Sequence, residues 1–406
     1  MFTELLSNAL GLSAGQTPFA WQRRLFGELL AGQLPRSLDL PTGLGKTSVM
    51  ALWLLALASG ANLPRRLVYV VDRRAVVDQA TRVAEGLRAF VTANPQLGAG
   101  LGLEAGRELP ISTLRGQFVD NKAWLEDPAS AAIIVGTVDM VGSRLLFGGY
   151  GVSRKMRPYH AGLLANDALI VLDEAHLVPP FERLVSAIAD GQPQFGTRGL
   201  ASPVMPLKLL SLSATGRSHG TRAFELRADE VEGVVAQRLG AVKALSLREM
   251  ESGEKLAEAL AKEALALAQA HGAVRCIVFC NSRQDADKAA AIILAGAKKA
   301  GFGDVAVELL VGGRRVRERA RLLPRRSKRW ASSRARKGSG RPLLFWWRPR
   351  LAKSVSISTP TTWCPTWWPG SAWCNASAAS IGAAKARREL SCSSTIRKPL
   401  RRSARR

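Results

Sequence analysis

Short apolar runs recur through the first half of the chain: LVYVV (67–71), AAIIVG (131–136), ALIVLDE (168–174) and LKLLSLSAT (207–215). They are nearly continuous rather than alternating. That is the signature of strands covered on both faces, which belong to parallel sheets. Parallel neighbours need a crossover between them, and a helix commonly supplies it. Helical patterns do separate the runs, for instance RAVVDQATRVAEGLRAFV (74–91). The expected fold is therefore α/β, a parallel sheet with helices on both faces. A polar, less regular stretch extends to about residue 250. GEKLAEALAKEALALAQAHG (253–272) then reads as an amphipathic helix and VRCIVFCNS (274–282) as a strand, the opening of a second α/β domain. Periodicity ends near residue 320. The expected organisation is a first domain over 1–240, a partial second domain over 241–318, and a basic tail over 319–406 without a core.

Charge divides the chain at the same place. The 406 residues carry a formal net charge of +26, which taken whole points to nucleic acid. Yet 22 of the Lys and Arg residues lie between Arg319 and Arg406, beside one acid, Glu389. The preceding 318 residues hold 36 basic and 31 acidic side chains, an ordinary balance. Seven of the ten Trp lie beyond residue 325, whereas all four His lie before it. Cys276, Cys280, Cys364, Cys374 and Cys392 form no paired CxxC pattern, so a zinc site is not expected. Few, scattered cysteines fit a reducing compartment. The apolar stretch VMALWLLALASGANL is too short to span a bilayer, and no secretory signal is visible, so a cytoplasmic protein without a membrane partner is expected.

Two motifs carry chemistry. PTGLGKTS (41–48) follows SLDL and precedes an apolar helix. A glycine-rich turn at a helix N-terminus leaves N–H groups free to cradle phosphates. Thr42, Gly43 and Gly45 would form that cradle. Lys46 would reach the terminal phosphates of ATP, and the Thr47 hydroxyl would bind Mg²⁺. The strict pattern calls for glycine at position 40, where this chain has Leu40; a chance glycine turn is the alternative. VLDEAHL (171–177) ends an apolar strand. There Asp173 would hold Mg²⁺ and Glu174 would orient and deprotonate an attacking water, with His176 completing the catalytic group. The alternative is a solvated strand end with a helix-capping Asp.

GKT, DEAH and SAT (213–215), in this order, resemble the superfamily 2 helicases, whose motor is built from two RecA-like domains. The resemblance implies further roles. Gln22, in PFAWQRRLF (18–26), would read adenine, unless it is simply an exposed Gln on an amphipathic helix. Arg73 and Arg74, in YVVDRRAVVDQ, and Thr137, in IVGTVDM, would contact the backbone of a nucleic-acid strand, unless they are solvated surface residues. Ser213 and Thr215 would couple the nucleotide to strand movement. FCNSRQDA (279–286) matches the first motif of the second domain.

VDRRAVVDQA followed by SRKMRPYHAGLLANDALIVLDEAHL (153–177) narrows the resemblance to the CRISPR-associated type I helicase, over about residues 15–318. That family implies ATP and Mg²⁺ as cofactors, single-stranded DNA as the track, and an RNA-guided surveillance complex as partner. It also implies a fused or separate histidine-aspartate nuclease. This chain has no His-Asp dipeptide, so the nuclease is not expected in it. Two other classes stay open: a different superfamily 2 enzyme, such as an RNA helicase or restriction translocase subunit, and a non-catalytic nucleic-acid-binding protein acting through its tail.

The family's two last motifs, one coupling ATP to movement and one supplying arginines to the transferring phosphoryl group, are missing from the chain as written. A displacement by one base restores both. From Phe345, FWWRPRLAKSVSISTP permits LVATSAGEVGVDLDAD; from Thr362, TWCPTWWPGSAWCNASAASIGA permits MVxDLVAWERMVQRLGRVNRR. Each Trp-Trp step is forced to valine, and Cys374-Asn375 to glutamine or a stop. The tail therefore reads as an out-of-frame translation beginning after Glu318, before Lys328. The competing readings are a basic, Trp-rich segment that binds single strands or an anionic membrane surface.

Overall fold

A computed structural model describes residues 2–13, 15–114, 122–195, 204–214, 223–250, 253–271, 276–302, 307–310 and 343–347, with residues 274 and 305. The chain divides into two compact units, the first covering Met1–Gly240 and the second falling within Ala241–Pro365.

The first unit is built on a parallel sheet of seven strands: β1 (Ser37–Asp39), β2 (Arg66–Val71), β3 (Ile111–Leu114), β4 (Ala132–Thr137), β5 (Ala168–Leu172), β6 (Lys208–Ser213) and β7 (Ala223–Glu225). Their spatial order is β3-β4-β2-β5-β6-β1-β7. The order reverses direction on either side of β2 and β5, which places crevices at the carboxyl ends of the central strands, where ligands of such sheets collect. The four apolar runs became β2, β4, β5 and β6, each within a residue or two of its expected limits. Every residue of β2, β4 and β5 is buried, as continuous apolar runs require.

Helices cover both faces. Against one lie α1 (Phe2–Ala9), α2 (Ala20–Leu30), α3 (Val49–Ala58) and α4 (Arg74–Thr92), packed over Leu38, Leu67, Tyr69, Ile133, Val171 and Leu212. Against the other lie α7 (Val138–Leu145), α8 (Arg157–Ala165) and α9 (Pro179–Phe195), over Val68, Val70, Ile134, Ile170 and Leu172. The short elements α5 (Pro95–Gly100), α6 (Ala123–Glu126) and α10 (Gly233–Gly240) complete the unit. Helix α3 is apolar on every side because it is buried on every side: Val49–Ala56 are all enclosed, and Trp53 Nε1 donates to the Pro64 carbonyl at 2.9 Å. The most apolar stretch of the chain is thus a core helix. Among the described residues no helix is long and apolar enough to cross a membrane.

The second unit contains α11 (Leu256–His271), β8 (Ile277–Cys280), α12 (Arg283–Lys299), β9 (Val307–Leu310) and β10 (Leu343–Trp347). The Ser282 hydroxyl caps α12, accepting from the Asp285 N–H at 3.0 Å. Gly296 lets α12 approach α11: a Cβ there would stand 2.4 Å from Leu265 Cδ1. The sheet order is β8-β10-β9, all parallel. This corrects one expectation. Leu343–Trp347 belong to the stretch expected to lack regular structure, yet they form the middle strand. LLFWW is a five-residue apolar run of aromatic and aliphatic residues, the composition of a strand enclosed by two neighbours. The rest of 319–406 lies outside the described residues.

The foot of the first sheet is held by arginine. Arg66, 4 % exposed, donates from Nε to the Leu163 carbonyl at 3.1 Å, from NH1 to that of Pro128 at 2.5 Å and from NH2 to that of Asn166 at 2.7 Å. Burial pushes its pKa down, with Asp167 opposing. Arg66→Met keeps the volume but strands three carbonyls, so chemical unfolding should show a loss of about 2–4 kcal/mol in stability. A loss below 0.5 kcal/mol, the surface-substitution range, would show that water replaces the guanidinium.

Candidate nucleotide-binding site

The loop after β1 brings the first motif together. Gly43 and Gly45 have φ of +88° and +75°, conformations that side-chain-bearing residues rarely adopt. A Cβ on Gly45 would sit 3.7 Å from Gln22 Nε2. The chain then tightens into a 3₁₀ turn, Lys46–Ser48, before α3 begins. The departure at position 40 has a structural answer. Leu40 continues the strand: its side chain is fully buried in the core and its N–H donates to the Ser213 carbonyl at 3.1 Å. Its own carbonyl accepts from Lys46 Nζ at 3.3 Å.

Lys46 is only 8 % exposed, and its second neighbour is Glu174 Oε1 at 3.6 Å. Glu174 stands at φ +50°, a left-handed conformation unusual for a residue with a long side chain. That twist turns DEAH back over the loop. Glu174 Oε2 lies 3.4 Å from His176 Nδ1, so three of the four catalytic candidates, Lys46, Glu174 and His176, form one chain of contacts.

Asp173 directly follows β5, and its N–H donates to the Val70 carbonyl at 2.8 Å. Part of the residue reaches the surface but the carboxyl is enclosed. Burial, and then the Glu174 charge, push its pKa up to about 6, against the pull of Lys46 and Tyr69. The Tyr69 hydroxyl, fully buried on β2, lies beside both Asp173 and Thr47. Burial and Asp173 push its pKa up as well. It makes no well-formed hydrogen bond and counts among the orphaned buried polar atoms. Thr47, Asp173 and an unsatisfied phenol therefore converge on one point with hard oxygen donors. That donor chemistry suits Mg²⁺ completed by phosphate oxygens and water. Among the described residues no cluster of three or more His, Cys, Asp or Glu forms a metal site without such help.

Gln22 faces the same loop. Its Oε1 accepts from the Phe19 N–H at 2.9 Å and its Nε2 donates to Ser48 Oγ at 2.9 Å. It is 5 % exposed, so the exposed-helix alternative for Gln22 does not hold. Arg73 precedes α4 with its Nε 3.3 Å from Asp72. Val71 and Thr137 are register partners at the ends of β2 and β4, so Arg73 and Thr137 share the carboxyl edge of the sheet, although Thr137 is only 6 % exposed. Arg74 opens α4. Ser213 ends β6, beside Asp39 of β1. Thr215 lies outside the described residues.

Three contributors were not singled out from the sequence. Ser48 sits inside the motif and could have been named. Tyr69 lies in a strand that reads as pure core. Arg238, on α10, donates to the Gly43 carbonyl and lies 5.6 Å from the Phe19 ring. It is 195 residues from the loop it touches, and no local pattern marks it.

Residues 17–216 match the family of the type III restriction enzyme res subunit. Among solved structures, the DUF1998 helicase MrfA bound to DNA and AMPPNP aligns with a TM-score of 0.51 and 16% identity, over 84% of this chain and 43% of that one. The DEAD-box helicase Mss116 bound to single-stranded RNA and UDP-BeF aligns with a TM-score of 0.51 and 13% identity, over 84% and 63%. Residues 17–216 are similar to that res-subunit family, and the first unit has the fold of these helicase domains. Its parallel sheet is RecA-like. The Mycobacterium smegmatis helicase Lhr bound to ssDNA and AMP-PNP is similar at 16% identity and a TM-score of 0.49, and this chain spans 41% of its length. No curated protein matches the chain.

The raised Asp173 pKa has a defined sign. A carboxyl whose folded pKa exceeds its unfolded value costs stability above the folded value, and the cost is relieved as pH falls through about 6. Asp173→Asn should therefore raise the melting temperature of nucleotide-free protein at pH 7.5. The advantage should shrink between pH 6 and 4. A pH-independent effect would mean that the buried charge is not its source.

Proposed function

We propose that this chain binds ATP with Mg²⁺ and derives from an ATP-dependent translocase on single-stranded DNA, working beside an RNA-guided surveillance complex in type I CRISPR antiviral defence, with cutting left to a separate nuclease. The observation that carries the nucleotide reading is the buried Lys46. Its ammonium leans on a main-chain carbonyl and a carboxylate 3.6 Å away, the resting place of a cation that awaits stronger anions.

In this reading the N–H groups of the loop from Thr42 to Thr47 cradle the phosphates, and Lys46 leaves Leu40 and Glu174 to reach the terminal ones. Thr47 and Asp173 would hold Mg²⁺, which would supply positive charge against the phosphates. Release of Lys46 frees Glu174 to orient an attacking water and accept its proton, with His176 beside it. Gln22 reads the adenine edge. Arg73, Arg74 and Thr137 line the carboxyl edge toward the strand, and Ser213 and Thr215 report the nucleotide state to it.

Hydrolysis is expected to be slow. The arginines that stabilise the transferring phosphoryl group belong to QRLGRVNRR, which the displaced frame supplies and the written one does not. Leu343–Trp347 fit this reading: they occupy a strand position between β8 and β9, and the displaced frame places LVATS from Phe345 onward. Resequencing codons 315–345 would show the one-base displacement or refute it.

A second reading is a restriction-type DNA translocase subunit, favoured by the family match over 17–216. The two differ in what stimulates the frame-corrected enzyme: single-stranded DNA for the first, duplex DNA for the second.

Lys46→Ala should weaken binding of a fluorescent ATP analogue at least tenfold in the full chain, while wild type shows little DNA-stimulated hydrolysis. Robust stimulated hydrolysis by the wild-type chain would overturn the claim of a crippled site. Unchanged analogue binding in Lys46→Ala would overturn the site itself.

A further inference from the structure

The hairpin joining α7 to α8 plays no part in the nucleotide site, yet its surface is unusual. Leu146, Phe147 and Tyr150 are 60, 59 and 62 % exposed. Isolated exposed apolar residues need no explanation, but three within five positions form a patch. Met156 and Tyr159 extend it at the start of α8.

The loop is built to display these side chains. Phe147 has φ +58°, a strained conformation for a bulky residue. It is held there by a tight α7 ending: the N–H groups of Gly148 and Gly149 both donate to the Ser143 carbonyl, at 2.7 and 2.9 Å, and that of Phe147 to the Arg144 carbonyl at 3.1 Å. A Cβ at Gly148 would stand 3.0 Å from Ser143 O, and one at Gly149 2.9 Å from Val152 Cβ. These are the bonds of a common helix C-cap, with Phe147 in place of the usual glycine at its left-handed position.

The charge around it has one sign. From Val141 to Asn166 the chain contains Arg144, Arg154, Lys155 and Arg157 and no acid. Among the described residues none of these four is paired with a carboxylate. Arg144 is 3 % exposed, bonds only to the Met140 carbonyl and has an orphaned Nε. Arg157 Nε and His160 Nδ1, behind the patch, are orphaned too. Burial and the neighbouring cations Arg144 and Lys122 hold His160 below its usual pKa.

Exposed aromatic rings and unpaired cations on one short segment suit alternating bases and phosphates. Protein interfaces are also rich in Tyr, Phe, Met and Arg, but a run of cations with no acid beside it favours a polyanion over a partner of mixed charge. We propose that the 144–159 hairpin is a base-stacking contact for single-stranded nucleic acid, separate from the contact residues Arg73, Arg74 and Thr137. Phe147 and Tyr150 would stack on bases, and Arg154, Lys155 and Arg157 would meet phosphates. The choice of a nucleic-acid ligand rests on the translocase reading, but the contact itself requires no ATP.

The test uses the full chain, a short oligothymidylate and no nucleotide. Phe147→Gly relieves the backbone strain and Tyr150→Ala removes an exposed ring, so neither should unfold the protein. Together they should weaken binding by about tenfold or more without flattening its salt dependence. Arg154→Ala with Lys155→Ala should flatten that dependence, because fewer counterions are released. Photo-crosslinking through 4-thiothymidine should label the 144–159 peptide. The proposal is overturned if the aromatic double variant binds like wild type and crosslinks fall only elsewhere, for instance in 319–406; the patch would then belong to a protein partner. ATP-analogue binding, measured in the same variants, should stay at the wild-type level, so failure here leaves the nucleotide site standing and its failure is read separately.

Discussion

A buried ammonium needs an anion, and much of the first unit is arranged around providing one for Lys46. Its position requires a left-handed glycine on either side of Leu44, the carbonyl of Leu40 just past β1, and a Glu174 turned back by a left-handed backbone. Each requirement reaches into a different part of the sheet. Leu40 ties β1 to β6 through Ser213, and Asp173 ties β5 to β2 through Val70. The site is therefore an outcome of strand order. β1 and β5 are not neighbours, and β6 between them sets the width across which Lys46 meets Glu174.

Much of this was legible in the sequence because two signals coincide there. Continuous apolar runs located the buried strands, and glycine-rich or acidic punctuation at their ends located the chemistry. Gln22 came from the family resemblance rather than from local pattern, and its bonds to Phe19 and Ser48 accompany its burial. Arg238 was not legible. Contacts between residues distant in the chain leave no local period, and an arginine on a short helix resembles any surface arginine. Tyr69 failed for the opposite reason: a buried strand is where a tyrosine raises no question, and only its stranded hydroxyl beside Asp173 and Thr47 reveals it. The short strands β3 and β7 lacked a run long enough to be noticed.

The second unit shows a different limit. Composition and charge change near residue 319, but loss of periodicity is too blunt a criterion for the five apolar residues of β10. LLFWW pairs with β8 and β9 because backbone pairing asks only for a run of strand-forming residues of sufficient length. Catalysis asks for much more, namely arginines at particular positions.

The central claim is that Lys46 exchanges its resting partners for phosphates. The most direct measurement is a crystal structure of the full chain with Mg²⁺ and a non-hydrolysable ATP analogue. The account predicts Lys46 Nζ withdrawn from Leu40 and Glu174 and bonded to the terminal phosphates, with the metal between Thr47 and Asp173. A nucleotide bound elsewhere, or bound here with Lys46 still on Glu174, would contradict it.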